Sequence, residues 1–236
     1  MPSRLPPLRR PPIGFAHRGG RAHAAENTVE AFASALDMGA TGLESDVWLT
    51  ADGVPVLDHD GAIGMRRRRI RTLERAALPS SIPSLEELYA ACGTSFELSL
   101  DVYDADAAET VVSVARAAGG DAAARLWLCH SDVELVAGWR SRFPDVRLVD
   151  STRLRQIKEG PERRAARLAA AGIDALNLHY SDWTGGHTTL VHRFGVLAFG
   201  WDANHDRVLD ELLDMGIDGV FSDHVDRMMA AVARLA

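Results

Sequence analysis

Short apolar runs alternate with helical patterns from Ile13 to the end of the chain, and no long linker interrupts them. The runs fall at Ile13–Ala16, Leu43–Trp48, Val54–Leu57, Phe96–Val102, Leu126–Cys129, Arg147–Asp150, Ala175–Leu178, Val196–Trp201 and Gly219–Phe221. Runs of this kind between turn residues read as strands, and apolar positions three and four apart read as helices. Helices are expected over Glu26–Leu36, Ser84–Ala91, Ala105–Ala118, Asp132–Arg142, Glu162–Ala171, Asp206–Met215 and Val225–Leu235. Gly39 stops the first, and Ser84 with Glu87 three residues later forms a capping box at the start of the second. The repetition yields roughly eight strand–helix units, the number that a (β/α)8 TIM barrel requires. A doubly wound open sheet is the competing architecture. It carries a glycine-rich nucleotide loop after its first strand, and Gly19-Gly20 lacks that pattern. The expected organisation is an extended lead-in over residues 1–12 and a single α/β barrel domain over residues 13–236. A short insertion over Gly61–Ser81 should follow the second strand. Its run Arg66–Arg69 reads as a solvated face, or alternatively as an electrostatic guide for an anionic substrate.

Composition narrows the function classes. At 236 residues, 47% hydrophobic and 25% charged, the chain has the make-up of an ordinary globular protein. No apolar run is long enough for a transmembrane helix. The first twelve residues carry proline and arginine where a secretory signal needs an apolar core, so a cytoplasmic location is expected. A net charge of −7 argues against nucleic-acid binding. Cys92 and Cys129 offer no disulfide framework and are expected as buried thiols. Lys158 is the only lysine among the basic residues.

Glu44 and Asp46 stand two apart in the second strand, which puts both carboxylates on one face. Like charges so close repel, and burying them without a cation is costly. A divalent metal resolves the conflict, because hard cations take oxygen ligands; an exposed acidic edge strand is the alternative. His17 ends the first run, and His59 follows Val54–Leu57 between Asp58 and Asp60. One histidine at a strand end is usually a hydrogen-bonded structural residue. Two that bracket a carboxylate pair could act as general acid and general base. Barrel enzymes carry their catalytic groups at the C-terminal strand ends. His17, Asp46, Asp101, His130, His179, Trp201 and Asp223 all fall at or just past such ends. In the third strand Glu97, Ser99, Asp101 and Tyr103 share a face. Glu97 should then lie near the barrel bottom, where it needs a partner such as an arginine.

The run His17-Arg18-Gly19, Glu26-Asn27-Thr28, Ala31-Phe32, Ala35, Gly39-Ala40, Glu44-x-Asp46-Val47, Thr50-x-Asp52-Gly53 and His59-Asp60 resembles the glycerophosphodiester phosphodiesterase family. Ile82–Glu87, Trp201 and Gly219–Asp223 resemble later segments of the same family. The resemblance implies a metal-dependent hydrolase that cleaves a glycerophosphodiester to glycerol 3-phosphate and an alcohol. It implies one Mg2+ or Ca2+ on Glu44, Asp46 and Asp101, with His17 as base or nucleophile and His59 as the acid for the leaving group. Arg18 would grip the phosphate, and Trp201, with Trp183 as a further candidate, would wall the leaving-group pocket. His179 and His130 are possible substrate contacts. The family's third strand usually places a lysine two residues after its acidic ligand. Here that position holds Tyr103, so a phosphate-facing cation is replaced by a neutral phenol. Two rival readings are a lysophospholipase D-type phosphodiesterase and a barrel that binds phosphodiesters with little turnover. The oligomeric state is open.

Overall fold

Two neighbours of the first strand, one from each end of the chain, close the sheet on itself in the computed structural model, which describes residues 4–235. The strands are β1 (Ile13–His17), β2 (Gly42–Leu49), β3 (Pro55–Leu57), β4 (Ala62–Ile63), β5 (Arg68–Arg69), β6 (Glu97–Val102), β7 (Leu126–His130), β8 (Arg147–Thr152), β9 (Ala175–His179), β10 (Leu197–Trp201) and β11 (Gly219–Ser222). β1 pairs in parallel with both β11 and β2, and β2, β6, β7, β8, β9, β10 and β11 follow one another around the ring. These eight strands form a closed parallel barrel, the expected fold. Outside it lie α1 (Val29–Asp37), α2 (Leu85–Cys92), α3 (Ala107–Ala118), α4 (Val133–Trp139), α5 (Pro161–Ala170), α6 (Gly185–Arg193), α7 (Asp206–Asp214) and α8 (Val225–Ala233). No helix among the described residues is long and apolar enough to cross a membrane. Residues 1–3 and 236, parts of the expected lead-in and domain, lie outside the described residues.

Three differences from the sequence reading have local causes. The run Val54–Leu57 is not a barrel strand: β3 lies antiparallel on the edge of β2, with Val47 opposite Leu57. Pro55 lacks an N–H and suits such an edge. α1 begins at Val29 rather than Glu26, because Asn27 takes a left-handed φ of 56° and Thr28 caps the helix through Ala31 N–H. α6 was not foreseen. Its Gly185-Gly186 start has poor helix propensity, and the helix is set by the Thr184 cap on His187 N–H and by burial of Thr188 and Val191. The capping box of Ser84 and Glu87 is present as expected. Cys129 is buried, but Cys92 is only half-buried, because it ends α2 beside the open Gly93 turn.

The lumen is plugged by Ile13, Phe15, Trp127, Cys129, Val149, Ala175, Phe199 and Phe221, the inward alternate residues of their strands. Phe15 stacks on Phe221 with ring centroids 4.5 Å apart. Gly42 makes room for this plug, since a Cβ there would sit 2.5 Å from the Phe15 ring. Beneath the plug Glu97 accepts from Trp127 Nε1 (2.7 Å), Arg9 Nη2 (2.9 Å) and Arg125 Nη1 (3.4 Å). The expected arginine partner at the barrel bottom is therefore found twice over. Residues 4–12 run under this end, with Leu5 N–H bonded to Asp214 C=O. The plug closes the lower lumen and separates the C-terminal mouth from a second concavity at the bottom, lined by Arg9, Ile13, Glu97 and Arg125. Above β2 the insertion folds as the β4–β5 hairpin and two short 3-10 turns on a small core of Val56, Ile70, Leu73 and Leu78. Arg66–Arg69 are exposed on it.

Candidate active site

A cavity of about 390 Å³ opens at the barrel mouth. On one wall β2 and β6 run in register, with Asp46 beside Asp101 and Glu44 two residues earlier on the same face. One carboxylate oxygen from each of Glu44, Asp46 and Asp101 lies within 4.8 Å of the others. Burial raises all three carboxyls above the ordinary range. For Glu44 the charges of Asp46 and Asp101 add to a large upward shift, and Asp101 is pushed up to about 7 by burial and by Asp46. Asp46 Oδ2 is buried without a hydrogen-bond partner. Two buried carboxylates and a half-buried third, with an orphaned oxygen among them, form a set that fits a hard divalent cation.

The turn after β1 brings two more groups to this wall. Gly19 and Gly20 both have a φ of 82°, and a Cβ on either would strike Ala31 or Val225, so this tight reversal demands glycine. Arg18, itself left-handed at φ 50°, donates its backbone N–H to Glu44 Oε2 at 3.0 Å. Its guanidinium bonds Glu26 through Nη1 at 3.2 Å and places Nε 3.4 Å from Asp46 Oδ2. His17 Nδ1 lies 2.6 Å from Asp223 Oδ1, and its Nε2 lies 3.8 Å from Glu44 Oε2. Burial opposes ionisation of Asp223, but the His17 hydrogen bond and the charges of His17, Arg21 and Arg18 outweigh it, so its carboxyl sits below the usual range. An ionised carboxylate only accepts, so Nδ1 must donate to it. Whenever the ring is neutral, Nε2 is then its free base nitrogen. Asn204 secures Asp223 in turn, accepting from Asp223 N–H at 2.8 Å and donating to Oδ2 at 3.3 Å.

His17, Arg18, Glu44, Asp46, Asp101, Tyr103 and Trp201 all line this cavity. His59 does not: it stands on the exposed rim after β3, with Nδ1 2.9 Å from Asp60 Oδ1. It is still near enough for its positive form to favour ionised Asp46. Tyr103 is half exposed and stacks on Trp48 at 5.2 Å. Its phenol is held strongly protonated by burial and by the charges of Asp101, Asp46 and Glu44. His179 sits behind the wall, bonding Ser181 Oγ (2.8 Å) and Asp202 Oδ2 (3.2 Å) and meeting Trp201 edge-on. His130 accepts from Asp132 N–H at 2.9 Å in an adjoining side groove that shares Asp101, Tyr103 and Ser151 with the cavity. Trp183 is buried, its Nε1 donating to Phe199 C=O at 2.7 Å.

Several groups in or beside the cavity are read in part or not at all from the sequence. Asp223 was placed at a strand end but given no partner. Ser151 and Asn177 also line the cavity, and alternation from the lumen residues Val149 and Ala175 would have pointed to them. Arg153, just past β8, carries no local signal. Its guanidinium is fastened to Asp182 by two bonds, Nε at 2.6 Å and Nη2 at 3.2 Å.

The chain belongs to the glycerophosphoryl diester phosphodiesterase family, whose model matches residues 17–227. Among curated proteins, glycerophosphodiester phosphodiesterase 1 of Rattus norvegicus is 54% identical over 49 residues, which are 21% of this chain and only 15% of that protein. Among solved structures, a Thermotoga maritima glycerophosphodiester phosphodiesterase superposes with a TM-score of 0.79 at 23% identity, covering 92% of this chain and 97% of that one. An Oleispira antarctica phosphodiesterase in complex with the product sn-glycerol-3-phosphate superposes with a TM-score of 0.76 at 20% identity, covering 94% and 97%. At these identities the superpositions bear on the fold.

Proposed function

We propose that this barrel hydrolyses glycerophosphodiesters to glycerol 3-phosphate and an alcohol, with a divalent cation as cofactor. The observation that carries the reading is the convergence of three carboxylate oxygens within 4.8 Å, beside a histidine held by Asp223. The product complex of the Oleispira relative supports the choice of substrate class. Glu44, Asp46 and Asp101 would hold one Mg2+ or Ca2+. When bound, such an ion supplies charge neutralisation for the non-bridging phosphate oxygens. Arg18 adds a guanidinium on the same wall, suited to phosphate oxygens. Asp223 fixes the His17 ring so that Nε2 faces the cavity as base or nucleophile. His59 protonates the leaving alkoxide from the rim. Tyr103 and Trp201 bound the pocket, and His179 braces Trp201 from behind.

The test is release of glycerol 3-phosphate from a panel of glycerophosphodiesters, with Mg2+, with Ca2+ and with chelator. Cation-dependent release that disappears in Asp46→Ala supports the reading. Undiminished release with chelator present would sink it.

A further inference from the structure

The cavity has two chemically different walls. Opposite the carboxylates, Arg153 lays its guanidinium carbon 5.6 Å from the centroid of the Trp201 ring, within cation–π range. The two bonds to Asp182 lock it there, and they balance its charge locally. Gln156 Oε1 is taken by Thr152 Oγ1 at 3.0 Å and by Arg153 N–H at 3.2 Å, so its amide nitrogen remains as a donor. Asp202, left-handed at φ 64°, adds a carboxylate acceptor on the same wall. Ser151 contributes a hydroxyl.

We propose that this far wall reads the leaving group, and that the alcohol it selects is an uncharged polyol rather than a quaternary ammonium alcohol. The inference rests on the hydrolase reading above and names its substrate class. Donors from Arg153 and Gln156 stand beside an acceptor from Asp202, and a hydroxyl group both donates and accepts. A trimethylammonium headgroup has no N–H or O–H to offer. The aromatic face that such a cation would seek, Trp201, is already occupied by the Arg153 guanidinium. Arg153 therefore discriminates in both directions, by bonding one headgroup and by keeping the other from the ring.

The experiment compares kcat/KM for glycerophosphoglycerol, glycerophosphocholine and glycerol phosphomethyl diester in wild type, Arg153→Met and Gln156→Ala. The glycerol headgroup should be preferred over choline by about tenfold or more, the scale set by hydrogen-bonding groups left unpaired against the wrong substrate. Arg153→Met should narrow that ratio from both sides, each headgroup diester being read relative to the methyl diester of the same variant. Gln156→Ala should weaken only the glycerol headgroup. No headgroup preference in the wild type overturns the proposal, as does an equal fall on all three diesters in Arg153→Met. If no diester is cleaved, the hydrolase reading fails separately. The two headgroup diesters are then compared by calorimetric binding, where equal affinities in wild type overturn the polyol wall and a glycerol preference lost in Gln156→Ala supports it.

Discussion

Replacing Asp101 by asparagine should make the metal-free protein more stable while abolishing its response to metal. In the folded chain Asp101 titrates at about 7, against an ordinary value of 3.8. The difference is roughly three units at about 1.4 kcal/mol each, which bounds the strain of keeping it ionised at about 4 kcal/mol. The folded carboxyl binds its proton more tightly than the unfolded one. The strain is therefore absent below about pH 4, grows from there to pH 7 and is complete above it. The amide brings its own polar burial, so about 1–3 kcal/mol should survive at pH 8. For a chain of this size that is a rise in Tm of very roughly 2–12 °C. Thermal unfolding with chelator at pH 8 and at pH 4 measures it, and the gain should vanish at the lower pH. With Mg2+ at a hundred times its Kd the wild type should gain about 2.7 kcal/mol, and the variant far less. The wild-type Mg2+ affinity should itself rise with pH through about 7, since binding displaces protons from these carboxyls. A variant less stable than wild type with chelator at pH 8 would show that these carboxylates support the apo fold instead of repelling within it.

Asp223→Asn should free the His17 ring to adopt the other tautomer and lower turnover by about a hundredfold or more with the fold intact, as judged by circular dichroism; unchanged turnover would remove Asp223 from the site. His17→Ala and His59→Ala should each lower turnover by about a hundredfold, and the double variant should fall short of the product if the two act together. Full activity in His59→Ala would leave the leaving group to be protonated by another donor. Tyr103→Lys should tighten inhibition by glycerol 3-phosphate, because it restores a cation on the cavity wall. An identical inhibition constant would show that the side chain at 103 does not reach the phosphate.

The parts of this molecule that could be read from the chain are those set by neighbours in sequence. Alternation put Glu44 and Asp46 on one face and raised Asp101 to the mouth above Glu97, because a strand's period of two leaves no freedom once one face is buried. The turn at Gly19-Gly20 and the capping box at Ser84 and Glu87 are likewise local devices. What could not be read is set by closure. β1 pairs with β2 on one side and β11 on the other, so His17 meets Glu44 and also Asp223, 206 residues away. No pattern in a linear window reports such a pairing. The same holds for Arg153, whose place in the cavity depends on Asp182 in a different loop. His59 is placed by strand pairing as well. Its position bracketing the carboxylate pair points to a site residue, and the antiparallel turn of β3 onto β2 sets it on the rim rather than in the wall. Tyr103 joins the two kinds of information. Its position on the open end of β6 follows from alternation, but what it does there depends on Trp48, which stacks on it from β2. The cation missing at residue 103 and the cation present at residue 153 stand on walls that only the closed barrel brings face to face. Under the proposed reading, the far wall with its own donors and acceptor would answer to the headgroup while Arg18 and the carboxylates answer to the phosphate.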